Sequence, residues 1–403
     1  MQIKHLSLSG FRFFQRLELS FPSHINIIVG RNAQGKTSVL EAIHFLSLLT
    51  SPLAGHDREM VNFNKLSDEI PVGRITADVS KKEKAHHLEA RLILRKNGSG
   101  SMRLRKEVLV DGVQRKLLDT VGFFNSVLFL PQMTRIIEDG PSERRKYLDR
   151  TISQAYPAYV RALSAFNQAI SRRNALLKQL GEQGGSADQL VYWDELVAEN
   201  GAVIISLRAR TLEEMNGEIR ARHTQLTNGL ELSDLRYLPS LDEDYVDRLQ
   251  DGQPGLMDAR SPLLDMDVDA VRAMYLEKLL ALQKEEIRRG VTTIGPHRDD
   301  LLFSANEIDL GMYGSRGQIR TAVMALKLAE VHWLHEKTGE LPVLLLDETL
   351  AELDEERRGQ LLAELAANSQ SIMTTTDLDL FKPDFVEQCV VWHLQDGAIR
   401  EES

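Results

Sequence analysis

The chain has 403 residues, of which 42% are hydrophobic and 27% charged, and its formal net charge is -10. This composition is typical of a globular protein with two or three domains. No apolar run reaches the roughly 18 residues of a membrane-spanning helix, and the first residues lack the features of a signal peptide. Cys389 is the single cysteine, which excludes an intrachain disulfide and favours a cytoplasmic protein without a membrane partner.

Strand patterns dominate the first 140 residues. Alternating apolar and polar side chains predict strands at residues 3–8, 17–21, 25–29, 88–95, 104–110 and 113–117. Residues 37–49 are predicted to be helical. Asn97-Gly98 and Asp111-Gly112 favour positive φ and therefore predict hairpin turns, so this part of the chain is expected to include a β-rich lobe.

A phosphate-binding loop is predicted between one of these strands and the helix, where GRNAQGKT matches the pattern G-x-x-x-x-G-K-T. Backbone N–H groups of the loop would bind phosphates, Lys36 would reach the β and γ oxygens, and Thr37 would be a ligand of Mg²⁺. An ordinary turn is disfavoured, because Lys36 would then place a cation at the positive end of a helix dipole. The predicted ATP-binding residues are Gly30, Arg31, Asn32, Ala33, Gln34, Gly35, Lys36 and Thr37.

The pattern becomes helical from Pro141. Pro141 and Pro157 suit first helical positions, and residues 187–227 could pair antiparallel with the helix that begins at Pro157. Residues 143–180 contain eight basic and two acidic side chains, which is a pattern suited to salt-dependent binding of DNA phosphates. An ordinary solvated helix face would have the same pattern. The predicted DNA contacts are Arg144, Arg145, Arg172 and Arg173.

An acidic stretch at residues 228–267 contains several prolines and glycines and is predicted to be a connector or mobile loop. A helix is expected at residues 268–289, followed by a return to strands. In GPHRDD, the Gly295-Pro296 turn could present His297, Arg298 and Asp299 from its tip. A plain polar turn leading into a strand at residues 301–303 stays open.

Two further motifs follow near the end of the chain. GSRGQ at residues 314–318 precedes a predicted helix at 319–336 and forms a glycine-rich helix N-terminus suited to an anion, or a plain helix capped by Ser315. LLLDE at residues 344–348 predicts a buried parallel strand that delivers two carboxylates to the carboxyl edge of a sheet. Asp347 would then hold Mg²⁺ through water and Glu348 would orient the attacking water, unless the pair merely caps the next helix.

The order of these motifs, followed by AELD at residues 351–354, resembles that of ABC-type ATPases. The resemblance implies an α/β fold, with an ABC-type head made of a mixed sheet and a β-rich lobe and with an inserted helical arm. The expected division is head 1–140, arm 141–290 and head 291–403. In such proteins the signature faces ATP held by another subunit, which implies an ATP-bound homodimer contacted by Ser315, Gly317, Gln318 and Asp354.

Two positions depart from the usual ABC pattern. Transporter cassettes have a histidine where this chain has Thr374-Thr375-Thr376, so slow hydrolysis is expected, with Lys36 and Glu348 as catalytic residues. Gln132 lies where a residue linking Mg²⁺ to the lobe would be found, although it could equally be a surface glutamine.

Within that superfamily the chain resembles the RecF family of bacterial recombination mediators. The resemblance rests on residues 1–21 and 26–43, on PSERRKYLD at 141–149, on GPHRDD and on DETLAELDEERR at 347–358. It implies a slow ATPase whose ATP-driven homodimer clamps duplex, gapped or single-stranded DNA. It also implies RecR and RecO as partners, with RecA loading in repair, replication restart and the SOS response.

Two other classes of ABC-type ATPase remain as alternatives. A transporter cassette is disfavoured by the predicted arm and by the missing histidine. An ATPase-coupled nuclease would need a further cluster of metal-binding carboxylates, for which the sequence leaves little room.

Overall fold

The computed structural model describes residues 1–96, 102–250, 261–368, 370–395 and 397–401. The strands are, in chain order, β1 (Gln2–Phe11), β2 (Phe14–Ser20), β3 (Ile25–Val29), β4 (Val72–Lys81), β5 (Lys84–Lys96), β6 (Met102–Val110), β7 (Val113–Arg115), β8 (Ser126–Phe129), β9 (Ser233–Leu238), β10 (Asp300–Ala305), β11 (Ile308–Asp309), β12 (Val343–Asp347), β13 (Ser371–Thr375), β14 (Val390–Gln395) and β15 (Ala398–Glu401).

The helices are α1 (Lys36–Leu48), α2 (Leu117–Thr120), α3 (Arg135–Glu138), α4 (Pro141–Ala155), α5 (Pro157–Gln183), α6 (Val191–Leu226), α7 (Glu243–Gln250), α8 (Val268–Arg289), α9 (Leu310–Tyr313), α10 (Arg316–Thr338), α11 (Glu355–Asn368) and α12 (Pro383–Val386). The chain divides into two units, the first formed by residues 1–133 and 330–403 and the second by residues 134–329.

The first unit contains a mixed sheet with the strand order β15-β14-β3-β13-β12-β8. Every neighbouring pair from β14 to β8 is parallel, and only the edge strand β15 is antiparallel. All five residues of β12 and all five of β13 are buried, as expected where a parallel sheet is covered on both faces. Because parallel strands end at the same edge, the residues that follow β3, β8, β12 and β13 converge there.

A second sheet in the same unit is antiparallel and has the order β2-β1-β4-β5-β6-β7. Its apolar positions alternate with polar ones, and the apolar face belongs to the same core as α1. Asp111 and Gly112 have φ values of 53° and 76°, which confirms the predicted turn between β6 and β7. This sheet is the predicted β-rich lobe. The other predicted turn, Asn97-Gly98, lies outside the described residues.

The second unit combines long helices with a three-stranded antiparallel sheet of order β11-β10-β9. Helices α5 and α6 have 27 and 36 residues, so they are about 40 and 54 Å long at 1.5 Å per residue. They form the predicted antiparallel pair, and α8 packs against both. Contact with α8 is close: a Cβ at Gly201 on α6 would lie 2.5 Å from the Tyr275 ring.

The prediction of a connector at residues 228–267 was wrong for part of that stretch. Strand β9 lies within it, all six of its residues are buried, and it pairs with β10 from Asp300↔Leu238 to Ala305↔Ser233. This pairing also places residues 291–329 in the second unit, whereas the sequence-based division assigned them to the ATPase head. The pattern did not reveal β9, because its partner strand is more than 60 residues away and neither flank carries a strand signal.

Candidate nucleotide-binding site

The backbone between β3 and α1 has the shape of a phosphate-binding loop. Ala33 and Gly35 have φ values of 64° and 97°, so this loop turns through the left-handed region that favours glycine. A Cβ at Gly30 would lie 2.6 Å from the Leu394 carbonyl oxygen, and one at Gly35 would lie 2.7 Å from the Phe14 ring. Both glycines are therefore required by the packing around the loop.

Lys36, the first residue of α1, is directed back into this loop. Its Nζ donates to the carbonyl oxygens of Gly30 at 2.6 Å and Arg31 at 3.1 Å, and it lies 3.0 Å from Glu348 Oε1. The side chain is only 4% exposed. A buried ammonium held by loop carbonyls and a carboxylate is positioned to bind an anion enclosed by the same loop.

Asp347, at the end of β12, lies beside the start of α1. Thr37 Oγ1 donates to its two carboxylate oxygens at 3.0 and 2.8 Å, and Thr374 Oγ1 on β13 donates to Oδ1 at 2.7 Å. Burial raises the pKa of Asp347 above its usual value, and the hydrogen bonds from Thr374 and Thr37 oppose that rise. One hydroxyl and one carboxylate in contact form the oxygen donor set that Mg²⁺ prefers, so these residues fit the predicted metal.

Glu348 follows Asp347 with a positive φ of 47°. For a residue with a side chain this conformation is strained, and here it turns the chain away from β12 while the Glu348 N–H donates to the Thr374 carbonyl at 3.2 Å. The side chain remains 35% exposed. This backbone conformation places the Glu348 carboxylate beside the Lys36 ammonium at the open edge of the sheet.

The remaining predicted residues of the first unit are more exposed. Arg31, Asn32 and Ala33 form the exposed tip of the loop, while Gln34 is half-buried. Gln132 is exposed in a short turn that follows β8, whose register pairs Phe129 with Leu346 on β12. It therefore lies at the same sheet edge as Asp347. Asp354 is exposed and accepts a hydrogen bond from the Arg357 N–H at 2.9 Å, as an N-cap of α11 does.

The signature residues lie in the second unit, at the start of α10. Ser315 Oγ accepts from the Gln318 N–H at 3.3 Å, and Gln318 Oε1 accepts from the Ser315 N–H at 2.9 Å, which together form a capping box. Gln318 also donates to Glu231 at 2.8 Å. A Cβ at Gly317 would meet only the Ser315 hydroxyl, at 4.0 Å, so packing within the chain does not explain a glycine there.

The structure places three of the four predicted DNA contacts in interactions within the fold. Arg173 is fully buried, with hydrogen bonds of 2.6 Å to Asp194 and 2.6 Å to Glu286. Arg144 forms a bidentate pair with Asp300 at 2.6 and 2.9 Å, and Arg145 donates to a backbone carbonyl at 2.7 Å. These guanidiniums are already engaged within the fold. Arg172 is exposed and remains accessible.

The GPHRDD turn agrees only in part with the expectation that its tip presents His297, Arg298 and Asp299, because Arg298 is exposed but Asp299 is buried. Asp299 is 1% exposed, accepts hydrogen bonds from the Ser240 N–H and hydroxyl and from Tyr237, and pairs with Arg208 at 3.4 Å. His297 is mostly buried, which lowers its pKa to about 4. No local sequence pattern indicates the role of Arg208, because its partners lie on distant segments.

Two features are absent from the described part of the chain. No helix there is long and apolar enough to cross a bilayer. Within the same residues, no group of three or more histidine, cysteine, aspartate or glutamate side chains is arranged to hold a metal ion.

Comparison with known proteins identifies the family of the chain. Residues 2–398 match the family described as RecF/RecN/SMC N terminal domain. The chain is 34% identical to the DNA replication and repair protein RecF of Herpetosiphon aurantiacus, with 99% of each chain covered. It is also 34% identical to that of Bacillus subtilis, with 99% of this chain and 100% of the relative covered.

Solved structures give the same result. A structure described as the recombination mediator protein RecF with ATPrS in the RecFOR pathway has a TM-score of 0.82 and 31% identity, covering 100% of this chain and 98% of that one. An Smc head domain from Pyrococcus furiosus has a TM-score of 0.51 at 16% identity, covering 99% of this chain and 95% of that one. The second likeness shows the shared ABC-type fold alone.

Proposed function

The chain belongs to the RecF family of DNA replication and repair proteins, and from that premise we propose that it is a slow ATPase that dimerises with ATP and clamps DNA. The observation that carries the proposal is the convergence of Lys36, Thr37, Asp347 and Glu348 at one sheet edge. Two motifs separated by roughly 300 residues meet there, as in a P-loop ATPase.

The residues at this edge have distinct roles in the proposal. The loop N–H groups and Lys36 bind the phosphates of ATP, while Thr37 and Asp347 hold Mg²⁺, directly or through water. Glu348 accepts a proton from the attacking water, or orients that water, from the position fixed by its positive φ. Gln132, at the same edge, is a further candidate contact to the metal. Mg²⁺ would supply charge neutralisation at the phosphates.

A second copy of the chain completes the site in this proposal. Ser315, Gly317 and Gln318 form an exposed helix N-terminus, which favours negative charge, and Gly317 leaves open space that a partner's ATP could approach. Asp354 lies on an exposed turn of the first unit. Two chains arranged head to tail would then enclose two ATP molecules.

Without ATP the two chains are separate in this proposal, and DNA binds after ATP has joined them. Thr374, in place of a histidine, donates to Asp347 and leaves no imidazole at that point to act on the γ-phosphate, so turnover is slow and is stimulated by DNA. The relatives are DNA replication and repair proteins by name, and the similar solved structure is described as part of the RecFOR pathway, which supports RecO and RecR as partners. RecA loading at gaps is the outcome in this proposal.

Glu348→Gln tests the proposal. The amide keeps the shape of the side chain but cannot accept a proton, so hydrolysis falls by roughly 10²-fold or more while ATP binding persists. Light scattering with ATP and Mg²⁺ should therefore show accumulation of a species of twice the monomer mass.

Glu387→Gln, at an exposed site of the same unit, is the matched control and should behave as the wild type. A Glu348→Gln protein that binds ATP but keeps the monomer mass at every concentration would rule out the ATP-bound dimer.

A further inference from the structure

The outer face of the antiparallel lobe sheet is rich in arginine. The inner face of this sheet is apolar and packs in the core, so the polar positions of each strand point outward. Register places the outward side chains in cross-strand rows. The arginine face consists of Arg16, Arg74, Arg91, Arg95, Arg103 and Arg105, interspersed with Glu18, Asp78, Glu89 and Glu107. It is a locally basic surface on a chain of net charge -10.

Two rows of this face bring like charges together. Arg95 on β5 is directly opposite Arg103 on β6, and Arg74 on β4 is directly opposite Arg91 on β5. Like charges at such positions destabilise a sheet. Within the described residues, no carboxylate forms an ion pair with Arg95 or Arg103, and both are exposed. The repulsion between Arg95 and Arg103 is therefore not offset by an ion pair with a carboxylate of the described residues.

Glu89 organises the second row. Its side chain is only 7% exposed, and one carboxylate oxygen, Oε1, accepts from Arg74 Nε and from Arg91 Nε, both at 2.6 Å. Contacts with these guanidiniums lower the pKa of Glu89 despite its burial. Each arginine directs Nε at Glu89, which leaves its terminal nitrogens able to donate to a phosphate, and Arg91 Nη1 also lies 4.0 Å from Glu107 Oε2.

We infer that the arginine face binds the phosphate backbone of duplex DNA. The inference rests on the proposed function and assigns it a surface other than the helical arm. Strand spacing makes the face about 19 Å wide and about 14 Å long, which is enough to contact several phosphates of a duplex carrying one charge per about 1.7 Å of axis.

The composition of the face favours DNA over an acidic protein partner. Outward positions on β4 to β6 carry mostly polar and charged side chains. The larger apolar ones, Val72, Ile93 and Leu109, are buried or half-buried, and none of these positions carries an exposed phenylalanine, tyrosine or tryptophan. Protein interfaces are usually anchored by buried aromatic or apolar residues, and single-stranded binding uses aromatic platforms. A set of guanidiniums without such anchors is suited to a phosphate backbone.

The first test is Arg95→Glu. This change replaces a like-charge pair with an opposite-charge pair across β5 and β6, so the melting temperature should rise, while affinity for duplex DNA should fall about tenfold. Fluorescence anisotropy of a labelled 30-base-pair duplex with ATP and Mg²⁺ measures affinity, and calorimetry measures melting. A purely structural role for Arg95 would move the two readouts together, and that result would overturn the inference.

The double variant Arg95→Glu, Arg103→Glu extends the test to salt dependence. Loss of two phosphate contacts should lower the slope of log affinity against log salt by about two, and Arg95→Lys, Arg103→Lys should keep most of the slope. Arg288→Glu, Arg289→Glu makes the same charge change at exposed positions on α8 and should keep the wild-type slope.

The outcomes distinguish a failure of the arginine face as the DNA site from a failure of the proposed DNA clamp. If the double glutamate variant binds the duplex as the wild type does, the arginine face is not the DNA site, and an acidic protein becomes the candidate partner. An equal loss in the Arg288→Glu, Arg289→Glu control would reduce the effect to net charge and overturn the inference. If wild-type protein forms the ATP-bound dimer but does not bind duplex DNA, the proposed clamp fails along with its surface.

Discussion

Asp347 receives hydrogen bonds from two different motifs, and this makes it the most informative single residue of the site. Thr37 comes from the phosphate-binding loop and Thr374 from the strand between β3 and β12. Burial raises the pKa of Asp347, so the folded protein favours the protonated form relative to the unfolded chain. The free energy of unfolding therefore falls as pH rises from the unfolded pKa to the folded one. Metal binding has the opposite requirement, because it needs the carboxylate.

Thr374→Val should make the Asp347 carboxylate a poorer ligand for Mg²⁺, because it removes a hydrogen bond that stabilises the charged form. Valine keeps the shape of threonine but cannot donate, so the pKa of Asp347 rises further and the affinity for Mg²⁺-ATP falls roughly tenfold, as expected for one hydrogen bond to a charged group. The acidic limb of binding should move to higher pH in titrations with a fluorescent ATP analogue.

Thr375→Val is the control for that change, because the Thr375 hydroxyl donates to the Asp377 carbonyl at 2.8 Å and not to Asp347. Its binding curve should keep the wild-type pH profile. An unshifted profile in Thr374→Val would mean that the hydroxyl does not act through the carboxylate.

At the scale of the elements, buried ion pairs connect the helices of the second unit. Arg173 on α5 joins Asp194 on α6 to Glu286 on α8, with all three side chains at most 1% exposed. Arg208 on α6 similarly contacts Asp149 on α4 and Asp299 beside β10. Such groups fix which helix faces pack together, since any other packing would leave a charge buried without a partner.

Arg173→Ala should strongly destabilise the second unit. The change leaves Asp194 and Glu286 buried without their cation, which typically costs about 3–5 kcal/mol. The neighbouring Arg172→Ala, at an exposed position of the same helix, should change stability by less than about 0.5 kcal/mol. Calorimetric unfolding of both variants measures the contrast, and equal melting temperatures would contradict the buried triad.

At the scale of the whole molecule, the nucleotide-binding motifs are divided between the two units of the chain. The phosphate-binding loop and Asp347 belong to the first unit, whereas Gly317 belongs to the second. On the proposed head-to-tail dimer, each site combines the loop of one chain with Gly317 of the other. Defects in the two motifs should therefore complement each other.

Mixing Lys36→Ala with Gly317→Arg tests this arrangement. One site of the mixed dimer carries both defects and the other carries none, so the mixture should recover up to about a quarter of wild-type ATPase activity, by random pairing of chains, while each variant alone is inactive. Steady-state hydrolysis of the mixture gives the measurement.

Gly217→Arg is the matched control, because Gly217 is also an exposed helical glycine with open space around it. It should hydrolyse ATP at the wild-type rate. Failure of the mixture to recover activity, with both variants folded, would mean that the two motifs do not act across a dimer.

The parts that sequence reasoning recovered depend on short-range patterns. The phosphate-binding loop, the LLLDE strand and the helix at residues 268–289 each carry their signal within a few turns or one strand. The predicted membership of the RecF family and the predicted ABC-type fold are confirmed by the family match and by the similar solved structure. The strand β9 and the partners of Arg208 were missed because their contacts join segments far apart in the chain.

Sequence by itself determined the chemistry of the protein, since Gly30 to Thr37 and Asp347-Glu348 need particular residue types at fixed spacing. Only the tertiary structure decided which charges are available. The charge pattern predicted both Arg172 and Arg173 as DNA contacts, but folding buries Arg173 between two carboxylates and leaves Arg172 exposed. The physical reason is that a charge acts according to its partners and its burial, and both depend on residues that are distant in the chain.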